Sequence, residues 1–194
     1  MSSPPSLDPA LPLPKLIVFD LDYTLWPFWV DTHVTPPLRP SPSPSRSAAT
    51  DKHGQDYAFY RDVPRILDAL SRSPVRLGVA SRTHAPGLAR RLLRILHLPA
   101  DEGPRSAIDV FDAGLEIYPG SKVKHFEALH KRTGIPYHDM LFFDDEARNR
   151  ETERLGLTMR LVRDGVCWNE VESGLEEWRR RRRRRSEDTR PWLG

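Results

Sequence analysis

Cysteine is almost absent from this sequence: Cys167 is the only one among 194 residues. A single cysteine excludes an intrachain disulfide and is typical of a reducing compartment. Long apolar runs are also missing, since no stretch approaches the roughly 20 residues that cross a bilayer. The N-terminal residues lack the basic start and the continuous apolar stretch of a secretory signal. We therefore expect a cytoplasmic or nuclear protein that has no membrane partner.

Apolar residues make up only 38% of the chain, whereas proline is frequent, with 19 copies. A chain of this composition is not expected to pack along its whole length. We predict a disordered N-terminal segment at 1–14, one domain at 15–178 and a basic tail at 179–194. Inside the domain, residues 35–56 are rich in serine and proline, which predicts a low-complexity loop.

The charge of the chain is unevenly distributed. Residues 179–194 hold eight arginines against Glu187 and Asp188, a local charge of +6 within a total of +3, which leaves −3 for the other residues. Nucleic acid could therefore bind only through the tail, as a nucleic-acid or nuclear-localisation patch, and a merely solvated tail is the alternative. Because consecutive arginines repel one another, we expect the last helix to fray beyond about Trp178. We also expect removal of the tail to leave the chemistry nearly unchanged.

Between these segments, patterns typical of strands and helices alternate. Such alternation predicts an α/β fold: a doubly wound parallel sheet with helices on both faces. The predicted strands are 16–20, 76–81, 140–145, 157–162 and a short one within 107–118. The predicted helices are 63–73, 86–98, 121–134, 146–156 and 169–182.

Acidic and hydroxyl side chains follow the predicted strands where each one ends: Asp20 and Asp22, then Ser81, then Asp144 and Asp145. The carboxyl ends of parallel strands meet at one edge, which is where ligands bind in such sheets. Converging carboxylates repel unless a hard cation joins them, and Mg²⁺ prefers oxygen ligands. This pattern predicts magnesium-assisted phosphoryl transfer, in which Asp20 attacks phosphorus and Asp22 acts as acid and base. For Asp145 alone, capping of the following helix is an equal alternative.

The motif "DLDYT" at 20–24 resembles the D-x-D-x-T signature of the haloacid dehalogenase superfamily, and Ser81, Lys122 and the "DD" pair at 144–145 follow in that superfamily's order. The stretches "VFDLDYTLWPFWVDTHVTPP", "VASRT" and "EIYPGSKVKHF" are similar to its magnesium-dependent phosphatases, which have no cap domain. The resemblance implies a HAD-like Rossmannoid fold without a cap. It implies that Asp20 is nucleophile and metal ligand, and that Asp22 is acid/base and binds the metal through its carbonyl. It also implies that Ser81 and Lys122 hold the phosphoryl group and that Asp144 is a further metal ligand.

Several neighbouring residues receive supporting roles. We expect the Thr24 hydroxyl to fix the loop after the first strand, and Asn149 to support the metal's surroundings from the helix that follows Asp145. Arg82 either reaches the substrate or is a solvated arginine, and Lys124 is the alternative to Lys122. Of the nearby aromatic residues, Trp26 is expected at the entrance of the site, and the rest in the packing.

The predicted protein is thus a magnesium-dependent phosphatase that hydrolyses phosphate monoesters through an aspartyl-phosphate. The resemblance implies a phosphoprotein or a phosphorylated small molecule as substrate, such as protein phosphotyrosine or fructosamine 6-phosphate. A non-catalytic binding protein and a phosphotransfer protein with this fold are the alternatives. We expect a monomer.

Overall fold

A five-stranded parallel sheet forms the centre of the computed structural model, which describes residues 7–8, 10–42, 47–99, 103 and 105–188. Its strand order is β10-β9-β1-β5-β8, and every neighbouring pair is parallel. The strands are β1 (Leu16–Phe19), β5 (Arg76–Ser81), β8 (Gly114–Ile117), β9 (Met140–Asp144) and β10 (Thr158–Leu161). The helices are α1 (Val30–His33), α2 (Val63–Ser71), α3 (Pro86–Ile95), α4 (Lys122–Thr133) and α5 (Trp168–Asp188).

The apolar run before Asp20 becomes β1, the central strand, because its four side chains are buried on both faces of the sheet. Ile17 and Phe19 belong to the core that α2, α3 and α5 cover. Leu16 and Val18 belong to the opposite core, which α4 covers. The predicted doubly wound sheet with helices on both faces is therefore confirmed.

Helix α5 packs closely against β9 because Gly174 has no side chain. A Cβ at that position would lie 2.8 Å from the Phe143 ring. Another helix, α4, ends as predicted at Gly134, which has a left-handed conformation and a φ of 68°. Among the described residues, 3₁₀ helices form at Ala107–Val110, Tyr137–Asp139 and Ala147–Leu155. The last of these replaces the α-helix predicted at 146–156.

The serine- and proline-rich insertion contains more order than expected. In place of a structureless loop at 35–56, it contributes to a three-stranded antiparallel sheet of β2 (Arg39–Pro40), β3 (Ala48–Thr50) and β4 (Asp56–Ala58). Asp51 fixes the turn between β3 and β4 by accepting hydrogen bonds from the backbone NH groups of His53 and Gln55. Residues 43–46 of the insertion lie outside the described residues. A further two-stranded sheet pairs β6 (His97–Leu98) with β7 (Arg105–Ser106).

The N-terminal segment also contacts the domain. Leu7 is buried and Leu13 packs on the main core, so the expected disorder of 1–14 does not hold for these residues. Residues 1–6 and 9 of that segment lie outside the described residues.

The last helix does not end near Trp178. It continues to Asp188, and arginines from its second half contact the domain. Arg179 is buried, and its Nε donates to the carbonyl of Pro12 at 2.9 Å. The prediction that the helix frays beyond Trp178 is therefore wrong within the described residues, because distant parts of the chain supply acceptors for the arginines. Across those residues, no helix is both long and apolar enough to cross a membrane.

Candidate active site

Three charged groups meet at the carboxyl edge of the sheet. The ammonium of Lys122 lies 2.6 Å from Asp20 Oδ1 and 3.0 Å from Asp144 Oδ2, and it also donates to the carbonyl of Ala80 at 2.5 Å. Burial raises the pKa of Asp20 well above its ordinary value, and the charge of Asp144 adds to the rise, while Lys122 opposes it. Burial alone would lower the pKa of Lys122, but the two carboxylates outweigh it and raise that pKa. The lysine is therefore held in its charged form.

Lys122 reaches this position because it is the first residue of α4. The hydroxyl of Ser121 caps the helix by accepting from the NH of Val123 at 3.1 Å. Lys124, the alternative phosphate-binding lysine, is exposed, whereas Lys122 is buried. The geometry therefore places Lys122 in the site and Lys124 outside it.

Asp144 is fixed from the side of β9. The Asn149 amide donates to both of its carboxylate oxygens at 2.9 Å, and the NH of Glu146 donates to Oδ1 at 2.8 Å. Asp144, and not Asp145, thus accepts the hydrogen bond from the start of the following 3₁₀ helix. Burial, followed by the charge of Asp144, raises the pKa of Asp145 to about 6. The capping alternative for Asp145 is not supported.

Asp22 is held by the turn that follows β1. Its Oδ1 accepts from the indole NH of Trp26 at 2.7 Å and from the NH of Val30 at 3.2 Å. Burial raises the pKa of Asp22 to about 6, against the effect of these hydrogen bonds. A carboxyl group with this pKa changes protonation state near neutral pH, which suits an acid/base residue.

The expected entrance position of Trp26 is wrong. Its side chain is fully buried, whereas Trp29 is 51% exposed. Trp26 can be buried because Asp22 satisfies its indole NH. Trp29 directly precedes Val30 and contacts the Tyr23 ring edge-on, with the ring centroids 5.0 Å apart. The exposed aromatic residue beside the site is therefore Trp29.

The end of β5 and the loop after it carry the hydroxyl and guanidinium groups of the site. Ser81 is buried and follows Ala80, whose carbonyl binds Lys122. Arg82 extends toward the 3₁₀ helix that follows β9, and its Nη1 donates to Asn149 Oδ1 at 3.5 Å. Asp31 of α1 holds this loop, since its Oδ2 accepts from the NH of His84 at 3.1 Å. The sequence offered no signal for that long-range contact.

Thr24 is held by a hydrogen bond of its backbone carbonyl and not by one of its side-chain hydroxyl. The backbone carbonyl of Thr24 accepts from Val166 at 2.9 Å, and its hydroxyl is buried without a hydrogen-bond partner in the part of the chain described. The expectation that this hydroxyl fixes the loop is therefore not supported.

His125 was missed by sequence reasoning. It is fully buried one turn after Lys122, and the two residues are three apart, a spacing that places them on one helix face. Its Nε2 lies 3.0 Å from the carbonyl of Tyr118. Burial, followed by the charge of Lys122, lowers the pKa of His125 to about 4. Helical periodicity counted from Lys122 could have identified it.

The oxygen donors of this edge suit a hard divalent cation. The buried carboxyl groups of Asp20 and Asp144 share one ammonium, so when both are ionised their negative charge exceeds its positive charge by one. Within the described residues, no three acidic, histidine or cysteine side chains form a metal-binding group. Mg²⁺ typically takes one or two carboxylates and keeps several waters, so two carboxylates are enough.

Comparison with known proteins identifies the family of the chain. The acid phosphatase family matches residues 12–181. A HAD-like hydrolase superfamily protein of Schizosaccharomyces pombe is 49% identical over 75% of this chain and 83% of its own length. Magnesium-dependent phosphatase 1 of Homo sapiens is 44% identical over 84% of this chain and 86% of its own length. The chain belongs to the acid phosphatase family, within the haloacid dehalogenase superfamily.

A solved structure from that superfamily has a similar fold. A HAD-superfamily hydrolase from Ehrlichia chaffeensis superimposes with a TM-score of 0.55 at 8% identity, covering 87% of this chain and 98% of that chain. At this identity the likeness concerns the fold alone.

Proposed function

We propose that this protein is a magnesium-dependent phosphatase that hydrolyses phosphate monoesters through an aspartyl-phosphate on Asp20. The observation that carries the proposal is the buried ammonium of Lys122 between Asp20 and Asp144. Oδ1 of Asp20 binds this ammonium, and no hydrogen bond to its Oδ2 occurs among the described residues. Oδ2 is therefore the oxygen we assign as the nucleophile.

The reaction has two steps in this proposal. Asp20 forms a bond to phosphorus while the bond to the leaving oxygen breaks, and Asp22 gives that oxygen its proton. In the second step Asp22 takes a proton from water, the water oxygen bonds to phosphorus, and the bond between phosphorus and Asp20 breaks. Trp26 and Val30 hold Asp22 through the same oxygen, Oδ1, which leaves Oδ2 to carry the proton. Ser81 and Lys122 would hold the phosphoryl oxygens.

The carboxylates of Asp20 and Asp144 and the carbonyl of Asp22 would hold Mg²⁺. When bound, the ion would neutralise and align the phosphoryl group. The name of the human relative supports this choice of metal. Asn149 would keep both oxygens of Asp144 oriented for the ion, as it does in the hydrogen-bonded arrangement described above.

Protein phosphotyrosine and sugar phosphates such as fructosamine 6-phosphate are the two substrate classes we propose. Side-by-side kcat/KM values on a phosphotyrosine peptide and on fructosamine 6-phosphate would decide between them. A value at least tenfold higher for one class would assign it.

The test of the reaction class uses a generic aryl phosphate. We expect phosphate release with Mg²⁺ and its loss with EDTA, and turnover that persists without metal would contradict the mechanism.

Asp20→Asn should abolish both turnover and the acid-stable phosphoenzyme, because the nucleophile is gone. Asp22→Asn should slow turnover by roughly 10²–10⁴, the usual contribution of acid–base assistance. Equal and mild effects of the two substitutions would contradict this mechanism and would mean that both aspartates only shape the metal site.

The second candidate function is phosphotransfer with a long-lived aspartyl-phosphate. It differs in one measurable quantity, the lifetime of the phosphoenzyme. Because Asp22 lies ready to activate water, we expect the phosphoenzyme to decay within the turnover time of the wild-type protein. A phosphoenzyme stable for many turnover times would favour the second candidate.

A further inference from the structure

The seven consecutive arginines of α5 divide into two groups according to the face of the helix. One group turns toward the domain: Arg179, Arg181, Arg182 and Arg185. Arg181 pairs with Glu153 at 2.6 Å and Arg182 with Asp139 at 3.0 Å. Arg185 donates to the carbonyl of Gly156, as Arg179 does to that of Pro12. These four contacts fix the orientation of the helix as far as Arg185.

The other three arginines, Arg180, Arg183 and Arg184, form what we call the outer stripe. All three are exposed, and their side chains have no hydrogen bond or ion pair with any of the described residues. Their spacing of three and four places them on one helix face, which lies opposite the buried Leu175 and Trp178. Glu176 and Glu187 border the stripe, so it is limited to about one helical turn.

The outer stripe lies beyond the end of the sheet that is remote from the active site. Pro12, Asp139 and Gly156, which anchor the helix, all precede strands of the sheet, whereas Asp20 directly follows a strand and Asp144 ends one. The 21 residues of α5 span about 31 Å, while β9 with its five residues spans roughly 16 Å. The arginine half of α5 therefore extends past the sheet, and a partner bound there would leave the active site open.

We propose that the outer stripe binds the phosphate backbone of duplex nucleic acid without sequence preference. Arginine pairs its planar guanidinium with phosphate oxygens in a bidentate manner, and a fixed helix presents three such groups without the cost of ordering the backbone. An anionic membrane is a poorer partner, because the apolar face that an interfacial helix would insert is already buried in the domain. Among the described residues the exposed large apolar side chains are Leu11 and Trp29, neither of them on α5. Within the part of the chain that the structure describes, no exposed aromatic ring therefore lies beside the stripe to stack on single-stranded bases.

The number of phosphate contacts sets the salt dependence of binding, which makes the proposal quantitative. For duplex DNA the slope of log K against log salt concentration is about −0.9 for each phosphate neutralised. Three contacts predict a slope of about −2.7, or a roughly 40-fold loss of affinity for a fourfold rise in salt. A frayed tail using all eight arginines of 179–194 would instead give a slope of about −7.

The test uses fluorescence anisotropy of a mixed-sequence DNA duplex with the full chain, over a series of salt concentrations. Arg180, Arg183 and Arg184 are changed together to Gln, and the matched control changes Arg181, Arg182 and Arg185 together to Gln. Both variants lose the same net charge. We expect the outer variant to lose at least roughly 30-fold in affinity at low salt and to show a slope near zero. The inner control should stay within about threefold of the wild type, provided that circular dichroism shows an intact helix.

The stripe proposal is wrong if the two triple variants lose affinity equally, because net charge alone would then explain binding. A slope near −7 would also overturn it in favour of a frayed tail. Anionic vesicles or polyglutamate that bind more tightly than the duplex would overturn it in favour of a membrane or an acidic protein. Should the inner control lose its helix, the single variants Arg184→Gln and Arg182→Gln replace the two triple variants, since each loses one charge. Arg184→Gln should then weaken binding more than Arg182→Gln, and equal losses would again overturn the proposal. Aryl phosphate turnover measured with and without bound duplex should be equal.

Discussion

At the carboxyl edge of the sheet, one ammonium lies between two carboxylates: Lys122 is 1% exposed, between Asp20 and Asp144. At the amino edge the arrangement is reversed, and the carboxylate of Asp139 lies between Lys15 and Arg182. These two cations are 65% and 52% exposed, so water and salt screen them. At both edges, therefore, one charged group has two partners of opposite charge. The carboxyl edge is a dry environment, and the amino edge, where the two cations are exposed, is a wet one.

The difference is consistent with the two proposals made above, chemistry at the carboxyl edge and nucleic-acid binding beyond the amino edge. In the dry environment each charge depends on its partners, and the negative charge in excess favours a divalent cation. In the wet environment each ion pair contributes little to stability on its own, and the charge in excess is positive and faces solvent. Deleting one partner should therefore cost far more at the carboxyl edge than at the amino edge.

The largest effect is expected for Lys122→Met, which leaves the buried carboxylates of Asp20 and Asp144 without their cation. Removing one partner of a buried pair typically costs about 3–5 kcal/mol. Urea unfolding of the metal-free protein at neutral pH would measure the cost, and turnover should be lost as well. Lys124→Met is the matched control, and since Lys124 is exposed it should change the free energy of unfolding by about 0.5 kcal/mol or less. Equal losses in the two variants would mean that the carboxyl edge is as well screened as the amino edge.

A somewhat smaller effect concerns pH. The pKa of His125 falls from 6.5 to about 4 on folding, so the unfolded chain binds more protons between these values. The contribution of His125 to the free energy of unfolding is then fully present above pH 6.5. It is lost as the pH falls toward 4, by about 3 kcal/mol in total. His125→Phe should remove this part of the acid loss, which urea titrations of both proteins over that pH range would show. Parallel curves for the two proteins would assign the acid loss to other groups.

Local patterns were enough to predict the sheet and its acidic edge. The continuous apolar runs that end in Asp20 and Asp144 describe strands buried on both faces, and the burial of an acid after such a run needs a cation. Both strands form as expected, and Lys122 supplies the cation in the described structure.

Long-range contacts explain what the sequence did not reveal. The arginines of α5 look like a solvated run because their acceptors, Pro12, Asp139 and Gly156, lie far away along the chain. In "LWPFW", no periodicity distinguishes the buried Trp26 from the exposed Trp29, and the contacts of Trp26, a hydrogen bond to Asp22 and stacking on Phe59, come from residues outside that stretch. The composition of 35–56 concealed a small sheet that depends on the turn at Asp51.

Asp139→Asn removes the buried carboxylate that pairs with the two exposed cations at the amino edge. The side chain of Asp139 is 5% exposed, but both of its partners can be solvated when the charge is removed. We expect a loss of about 1–2 kcal/mol in the free energy of unfolding, since hydrogen bonds to a charged group are weakened and not left unpaired. Aryl phosphate turnover should stay within about twofold of the wild type, because the site lies at the other end of the strands. A loss as large as that of Lys122→Met would show that the two edges do not differ in screening.

The smallest effect is expected for Arg182→Gln, which removes the exposed side of the same contact. Arg182 pairs with Asp139 at 3.0 Å and lies over the Trp178 ring at 5.3 Å, yet it is half exposed. Exposed pairs typically contribute about 0.2–1 kcal/mol, and Asp139 keeps Lys15 as a partner. The loss should therefore stay below about 1 kcal/mol and diminish when the salt concentration is raised from about 0.05 M to about 0.5 M. Arg184, which has no side-chain partner among the described residues, supplies the control: the unfolding curve of Arg184→Gln should coincide with that of the wild type. A salt-independent loss above about 2 kcal/mol for Arg182→Gln would show instead that the arginine edge is a buried network of the same kind as the one around Lys122.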